Sequence, residues 1–333
     1  MIDYKQTSNG VDIFHNDKLI IRHQKRKPAF YVGSGNETIE SYRGNFKIED
    51  FIEERIGLNS YQIKDNEITF SHCDLKLEVT LEEKDNRLHI KLNLNEEYNR
   101  FWMRVYATKE EKVYGCGEQA SYFNLRGRNF PLWTSEPGVG RDKNSLTTFY
   151  ADTEDGAGGD YYNTYYPETT FVSTRKYWFH AGTYAYADFN FKNSDFHELF
   201  FWETPKEIVM SFKDSYLDII HDLTEYTGRP PVLPEYLLDG MILGVQGGMD
   251  AVMGYLDLAE KNDVKVSGLW CQDWAGYKYT SFGRRLFWNW VLNEQVYPAL
   301  PEKIKELHAK NVAFLAYICP FLLEEQSLFV EAS

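Results

Sequence analysis

The sequence predicts a β-sandwich up to about residue 213 and parallel βαβ units from about residue 234 onward. In the first region, short runs alternate apolar and polar residues, which is typical of antiparallel strands with one solvated face. Beyond residues 229–236, near-continuous apolar runs alternate with amphipathic helices, as they do where parallel strands are buried on both faces. A chain of 333 residues is long enough for two domains.

The alternation in the first region is clearest between residues 75 and 92. Leucine or valine occupies every second position from Leu75 to Leu81, and Leu88, Ile90 and Leu92 repeat that spacing. The residues KDN between the two runs favour a turn, so we predict an antiparallel hairpin.

A long polar and aromatic insertion, 114–143, interrupts this pattern and is followed by the glycine-rich stretch 156–167. Long loops without secondary structure are usually functional, and glycine permits close turns of the backbone. A second interpretation is a structural loop braced by an ion-pair network that supports a domain interface. The residues that would form it are Glu118, Arg126, Trp133, Glu136 and Arg141.

The two regions are connected by residues 214–233. An Asp-Ser cap begins a helix that ends at Gly228, with one apolar face. That face consists of Tyr216, Leu217, Ile220 and Leu223. Three prolines follow in residues 230–234 and predict a stiff linker, so we place the domain boundary at about residue 229.

Three apolar runs with two helices between them form the second region. The runs are 240–248, 264–274 and 312–322, and the helices are 251–262 and 298–311. This order predicts the opening of either a (β/α)8 barrel or a doubly wound sheet. A complete barrel takes about 250 residues, so residues 234–333 supply roughly three of its units and we expect the chain to be truncated.

Charge and composition exclude several classes of partner. A net charge of -14 and a pI near 5.1 argue against nucleic acid or an anionic membrane, since both require a basic surface. No signal peptide or membrane span is present in the sequence, and we expect a cytoplasmic protein. The cysteines, Cys73, Cys116, Cys271 and Cys319, form no CxxC pair, so neither a zinc site nor a disulfide framework is predicted. No metal or cofactor is expected.

Polar residues follow the second apolar run and indicate a binding site. Gln272 lies at its tip, and Arg285 and Trp288 follow in an aromatic loop. Together they offer an amide for hydroxyl groups, a cationic fork for an anion and an aromatic wall, which favours a sugar that carries a negative charge. The alternatives are a structural salt bridge for Arg285 and core packing for Trp288. We expect Arg285 to be buried, so that a neutral sugar would leave its charge without a partner. Trp290 is expected to pack.

Several motifs resemble glycoside hydrolase family 31, and within it the subgroup that hydrolyses α-sulfoquinovosides, the glycosides of 6-sulfo-6-deoxyglucose. They are GCGEQ at 115–119, FPLWTSEPGVGR at 130–141, GGDYY at 158–162, TFVSTRKYW at 170–178, LGVQGG at 243–248, QDW at 272–274 and SFGRRLFWNW at 281–290. The resemblance implies that Gln272, Arg285 and Trp288 recognise the sulfonated sugar, with Gln246 as a further binding residue. It also implies a galactose-mutarotase-like sandwich followed by a (β/α)8 barrel.

The family's retaining mechanism requires two carboxyl groups, a nucleophile and an acid/base. The resemblance places both on later barrel strands, beyond Ser333, so the chain alone is expected to be inactive. It also makes Asp273 a sugar-contacting or structural residue.

Two alternatives remain open at this point. An α-glucosidase or α-xylosidase of the same family is disfavoured by Arg285 and Gln272. A non-catalytic carbohydrate-binding protein is disfavoured by the exposed strand edges that three barrel strands would leave. In each case the partner is a small-molecule carbohydrate, for the leading interpretation a sulfonated glycoside, and the oligomeric state is left open.

Overall fold

The structure, a computed structural model, describes residues 1–42, 45–280, 283–287, 289–319 and 323–333. The chain divides into two compact units, Met1–Arg229 and Pro230–Ser333. Each unit has a hydrophobic core of its own.

Antiparallel strands make up most of the first unit. They are β1 (Ile2–Thr7), β2 (Gly10–His15), β3 (Lys18–Gln24), β4 (Phe30–Tyr42), β5 (Asn45–Gly57), β6 (Ser60–Lys64), β7 (Glu67–His72), β8 (Leu75–Lys84), β9 (Arg87–Leu94), β10 (Arg100–Tyr106), β11 (Val113–Gly117), β12 (Asn129–Leu132), β13 (Pro167–Ser173), β14 (Tyr177–Ala181), β15 (Ala187–Asn190), β16 (Phe196–Phe201) and β17 (Glu207–Phe212). The helices of this unit are α1 (Leu146–Asp155) and α2 (Tyr216–Thr227).

Two of the sheets face each other across the core. One has the order β12-β15-β16-β10-β4-β5 and the other β11-β13-β14-β17-β9-β8-β7-β6, while β1-β2-β3 form a smaller sheet. Phe30 of the first sheet packs on Phe70 of the second, with ring centroids 4.8 Å apart. Phe189 of the first sheet likewise packs edge-on against Phe171 of the second at 6.2 Å. The predicted β-sandwich is therefore confirmed.

The hairpin predicted between residues 75 and 92 is also present. Strands β8 and β9 pair antiparallel from Leu77↔Leu94 to Lys84↔Arg87, and the alternate residues of β8 from Leu75 to Leu81 are buried. Asp85 and Asn86 both have positive φ, 53° and 57°, as a two-residue type I′ turn requires.

Helix α2 begins and ends as predicted, but the face that it buries differs from the predicted one. Ser215 caps it by accepting a hydrogen bond from the Asp218 backbone N–H. The predicted apolar face is wrong, since Leu217 is 84% exposed and the buried residues are Ile219 and Asp222. The Asp222 carboxylate accepts a hydrogen bond from the Trp178 indole at 2.8 Å, so a polar contact fixes the buried face.

The insertion at 114–143 is more regular than predicted, because it contains most of β11 and all of β12. The ion-pair network considered as the second interpretation does not form among the described residues. The Arg126 guanidinium donates instead to the backbone carbonyl of Phe191 at 2.7 Å, and Arg141 donates to that of Asn163 at 2.7 Å. The arginines therefore brace neighbouring loops through carbonyl groups.

The second unit contains the three predicted apolar runs as parallel strands. Its elements are α3 (Tyr236–Asp239), β18 (Met241–Val245), α4 (Met249–Lys261), β19 (Val266–Cys271), β20 (Tyr277–Thr280), β21 (Gly283–Leu286), α5 (Leu300–Ala309), β22 (Ala313–Ala316) and α6 (Ser327–Ala332). Strands β18, β19 and β22 form one parallel sheet, and α4 and α5 connect them. A closed barrel around these strands stays a prediction.

No helix in the described part of the chain is both long and apolar enough to cross a bilayer.

The two units are expected to differ in local stability. Within their sheet, β18 and β22 each pair on one edge only among the described strands. Met241, the first residue of β18, and Leu258 on α4 are more than half exposed. Backbone amides of β18 and β22 should therefore exchange faster than those of β10 and β17, which lie inside large sheets. Hydrogen exchange followed by mass spectrometry would measure this, and equally slow exchange in both units would contradict it.

Candidate functional site

The three parallel strands of the second unit end at one edge of their sheet. Val245 pairs with Cys271 and Cys271 with Ala316, so the residues that follow the strands are adjacent. The backbone N–H of Gln272 donates to the carbonyl of Val245 at 3.3 Å. Gln246 and Gln272, two of the predicted binding residues, are therefore brought together at this edge.

Gln272 is half-buried and Gln246 is exposed. Gln272 borders a small cavity whose other lining residues are Trp274, Ala275, Phe287, Trp290, Tyr317, Ile318 and Cys319. The Trp274 indole is fixed by a hydrogen bond to the backbone carbonyl of Tyr317 at 2.7 Å. Trp290, expected to pack, is instead 46% exposed. An amide group thus lies beside aromatic surface, which suits the apolar face and the hydroxyl groups of a sugar.

Arg285 lies on the hairpin formed by β20 and β21. It pairs directly with Lys278 across the hairpin, so the two cations share one face. Lys278 forms an ion pair with Glu325, whereas the exposed Arg285 forms no side-chain hydrogen bond or ion pair with any of the described residues. The expectation that this arginine is buried is wrong for the structure as it stands.

Arg284 projects from the opposite face of the same hairpin. It pairs with Tyr279, and its guanidinium lies 4.9 Å from the ring centroid of Tyr277. Neighbouring arginines are thus placed in different environments, and Arg284 provides a matched control for Arg285.

Trp288, the third member of the predicted set, lies outside the described residues, so its position relative to Gln272 and Arg285 stays a prediction.

Asp273, the carboxylate at the strand tip, is 1% exposed. One of its oxygens accepts a hydrogen bond from the Gly247 backbone N–H at 2.8 Å, and the other accepts from the Tyr297 hydroxyl. Burial, and then the bond to Asp273, raise the pKa of Tyr297, so its hydroxyl stays protonated at neutral pH. The structural role considered for Asp273 fits this geometry.

Sequence reasoning did not identify Tyr297. It is fully buried and lies 24 residues after Asp273 in a segment that has no helical or strand periodicity. Only its contacts in the folded chain reveal its role.

Within the described residues, no group of three or more His, Cys, Asp and Glu side chains is placed to hold a metal ion.

Comparison with known proteins gives consistent matches along the whole chain. Residues 2–156 match the glycosyl hydrolase 31 N-terminal galactose mutarotase-like domain. The sequence is 44% identical over 98% of the chain to a sulfoquinovosidase of Agrobacterium fabrum. It is 41% identical over 99% of the chain to a sulfoquinovosidase of Escherichia coli.

Solved structures agree with these matches. A GH31 family sulfoquinovosidase from E. rectale, in complex with the aza-sugar inhibitor IFGSQ, is 47% identical and has a TM-score of 0.89 over 99% of this chain. A GH31 alpha-xylosidase from a soil metagenome has a TM-score of 0.52 at 12% identity, which shows a shared fold alone. The chain spans about half the length of the curated relatives it matches, 49% and 50%.

Proposed function

We propose that the chain belongs to glycoside hydrolase family 31 and is the N-terminal portion of a retaining α-glycosidase that hydrolyses α-sulfoquinovosides. Curated sulfoquinovosidases match nearly the whole chain at 41% and 44% identity. The family resemblance predicted from the motifs is confirmed by these matches. The α-xylosidase alternative has weaker support, since the α-xylosidase structure is only 12% identical.

The observation that best supports an anionic substrate is the exposed guanidinium of Arg285, on the hairpin that follows Gln272. Lys278 lies directly opposite Arg285, and like charges opposed across strands destabilise a hairpin. Glu325 neutralises Lys278, and an anion bound by Arg285 would neutralise the second charge. This supports an anionic substrate on a chain whose net charge is -14.

A sulfonate fits that requirement better than a weak acid does. It is ionised at every physiological pH, and a guanidinium keeps its charge over the same range. The planar fork of Arg285 can donate two parallel hydrogen bonds to sulfonate oxygens, which gives orientation as well as affinity. A neutral hydroxymethyl group offers no such partner, so the arginine would discriminate against ordinary glucosides.

The remaining predicted residues would hold the sugar ring. The amides of Gln246 and Gln272 can donate to and accept from ring hydroxyls, and Trp288 is the aromatic wall that the resemblance implies. Arg285 acts far from the bond that breaks, so it contributes binding rather than chemistry. The two catalytic carboxylates of the retaining mechanism are expected on barrel strands that follow in the family's fold.

We also propose the domain assignment that this function requires. Residues 1–213 form the sandwich domain, 214–233 connect it to the next, and 234–333 contribute the first three βα units of a (β/α)8 barrel. The carboxyl ends of barrel strands carry the active sites of such enzymes, and Gln246 and Gln272 follow β18 and β19. A cytoplasmic location remains part of the proposal.

The proposal is tested with a hybrid protein, in which residues 1–333 are continued by the part of the A. fabrum sulfoquinovosidase beyond the aligned region. Its kcat/KM for an aryl α-sulfoquinovoside should exceed that for the aryl α-glucoside by about 100-fold or more. The bound sugar would cover Arg285, and a glucoside would leave that desolvated charge without a partner at a cost of about 3 kcal/mol or more. The unmodified A. fabrum protein serves as the control. Faster hydrolysis of the glucoside by the hybrid alone would contradict the proposal.

A further inference from the structure

We propose that Asp273 and Tyr297 are positioning residues, whose side chains hold the Gly247–Gly248 turn and thereby fix Gln246 relative to Gln272. Their role in sugar binding rests on the proposed function, whereas the structural link itself does not. We call this link the Asp273–Tyr297 bridge.

The bridge joins the ends of two neighbouring strands through side chains. The Asp273 carboxylate accepts from the Gly247 backbone N–H at 2.8 Å and from the Tyr297 hydroxyl. The Tyr297 hydroxyl oxygen accepts in turn from the Gly248 backbone N–H at 3.2 Å. Both turn amides are therefore held by one buried acid and one buried phenol.

The bridge lies next to both of the glutamines proposed to bind the sugar. Gly247 comes directly after Gln246, and Asp273 comes directly after Gln272. Each glutamine is thus one residue from an anchored point. A shift of the turn relative to the β19 end would move the Gln246 backbone and separate the two amide groups.

The turn needs an external anchor because of its own sequence. Gly247 and Gly248 have φ angles of 114° and 93°, a region that residues with a Cβ rarely adopt. Gly248 is the N-cap of α4 and supplies no side-chain hydrogen bond. Asp273 supplies the missing acceptor from the neighbouring strand, and its negative charge lies at the positive end of the helix dipole.

The buried carboxylate of Asp273 is stabilised by hydrogen bonds and not by any of the described basic residues. Within the described residues its carboxylate forms no ion pair; its recorded contacts are the Gly247 amide, the Tyr297 hydroxyl and the Cys271 thiol at 3.8 Å. Because a buried carboxylate without hydrogen bonds is costly, removal of the Tyr297 hydroxyl should loosen the whole link.

The first test uses the 333-residue chain and the substitution Tyr297→Phe, which keeps the buried ring and removes the hydroxyl. Amide exchange at Gly247 and Gly248, measured by NMR, should accelerate about tenfold. The control is Tyr255→Phe on α4, where the ring is 53% exposed. If Tyr297→Phe does not fold, Asp273→Ala, which removes both acceptor oxygens, is measured instead, with the same expectation at Gly247. Unchanged exchange at both glycines would overturn the bridge.

The second test uses the hybrid protein and the same substitutions. If the bridge positions the two glutamines, Tyr297→Phe should raise KM about tenfold for the sulfoquinovoside and the glucoside alike, with a smaller change in kcat. Asp273→Asn, which keeps one acceptor oxygen, should be less affected than Asp273→Ala. Accelerated exchange with unchanged KM on an active hybrid would show a purely structural role and overturn the positioning claim.

The two tests separate this inference from the proposed function. A hybrid that hydrolyses the glucoside but not the sulfoquinovoside would reject the proposed substrate, while KM for the glucoside would still report on the bridge. A hybrid that hydrolyses neither substrate would leave the function unsupported, and exchange at Gly247 and Gly248 would then decide whether the bridge exists.

Discussion

Replacing Arg285 by alanine in the hybrid is expected to lower kcat/KM for the aryl α-sulfoquinovoside by on the order of a hundredfold to a thousandfold. This corresponds to about 3–4 kcal/mol, as expected for removing one partner of an ion pair that the bound sugar desolvates. The sulfonate is remote from the bond being broken, so ground state and transition state should lose the contact alike. The loss should appear mainly in KM.

Three controls separate a specific contact from damage to the fold. Arg285→Ala should change kcat/KM for the aryl α-glucoside little, because that sugar has no anion to pair. Arg285→Lys should recover only part of the loss, since an ammonium lacks the bidentate fork. Arg284→Ala, which alters the opposite face of the hairpin, should retain sulfonate selectivity. An equal loss on both sugars with Arg285→Ala would make Arg285 a scaffold residue.

The 333-residue chain by itself is expected to release no chromophore from an aryl α-sulfoquinovoside. A retaining glycosidase uses two carboxyl groups about 5–5.5 Å apart, which the family resemblance assigns to later strands. Asp273 cannot replace them, because it is buried and both of its oxygens already accept hydrogen bonds. A nucleophile needs a free oxygen facing the sugar.

The same assay shows how this expectation would fail. The hybrid, measured at equal concentration, supplies the positive control. Chromophore release by the 333-residue chain that disappears with Asp273→Asn would assign the nucleophile to Asp273. Release that persists in that variant would point to another carboxylate within these residues.

The sequence predicted most of the fold because both strand patterns depend on local periodicity. Alternating burial in β8 follows directly from which face meets the core, and the near-continuous apolar runs of β18 and β19 indicated parallel strands. The packing of α2 could not be predicted in this way. Its buried face includes Asp222, which is bound to the Trp178 indole and to Arg87 at 3.0 Å, and a polar anchor is invisible to apolar periodicity.

The candidate site was predicted less completely. Gln246 and Gln272 could be located because they directly follow parallel strands, whose ends meet at one edge. Arg285 was predicted to be buried, but in the structure it is exposed on the β20–β21 hairpin. Its position there follows from pairing with Lys278, and the sequence did not reveal that pairing. Tyr297 depends on a contact with Asp273, 24 residues earlier and before the β20–β21 hairpin, which no local pattern encodes.

The most direct test of the sulfonate assignment is a crystal structure of the hybrid with sulfoquinovose bound. The account predicts two nitrogen atoms of the Arg285 guanidinium about 2.7–2.9 Å from two sulfonate oxygens, with the amides of Gln246 and Gln272 in contact with the sugar. A sulfonate held by other residues, with Arg285 remaining in solvent, would contradict it.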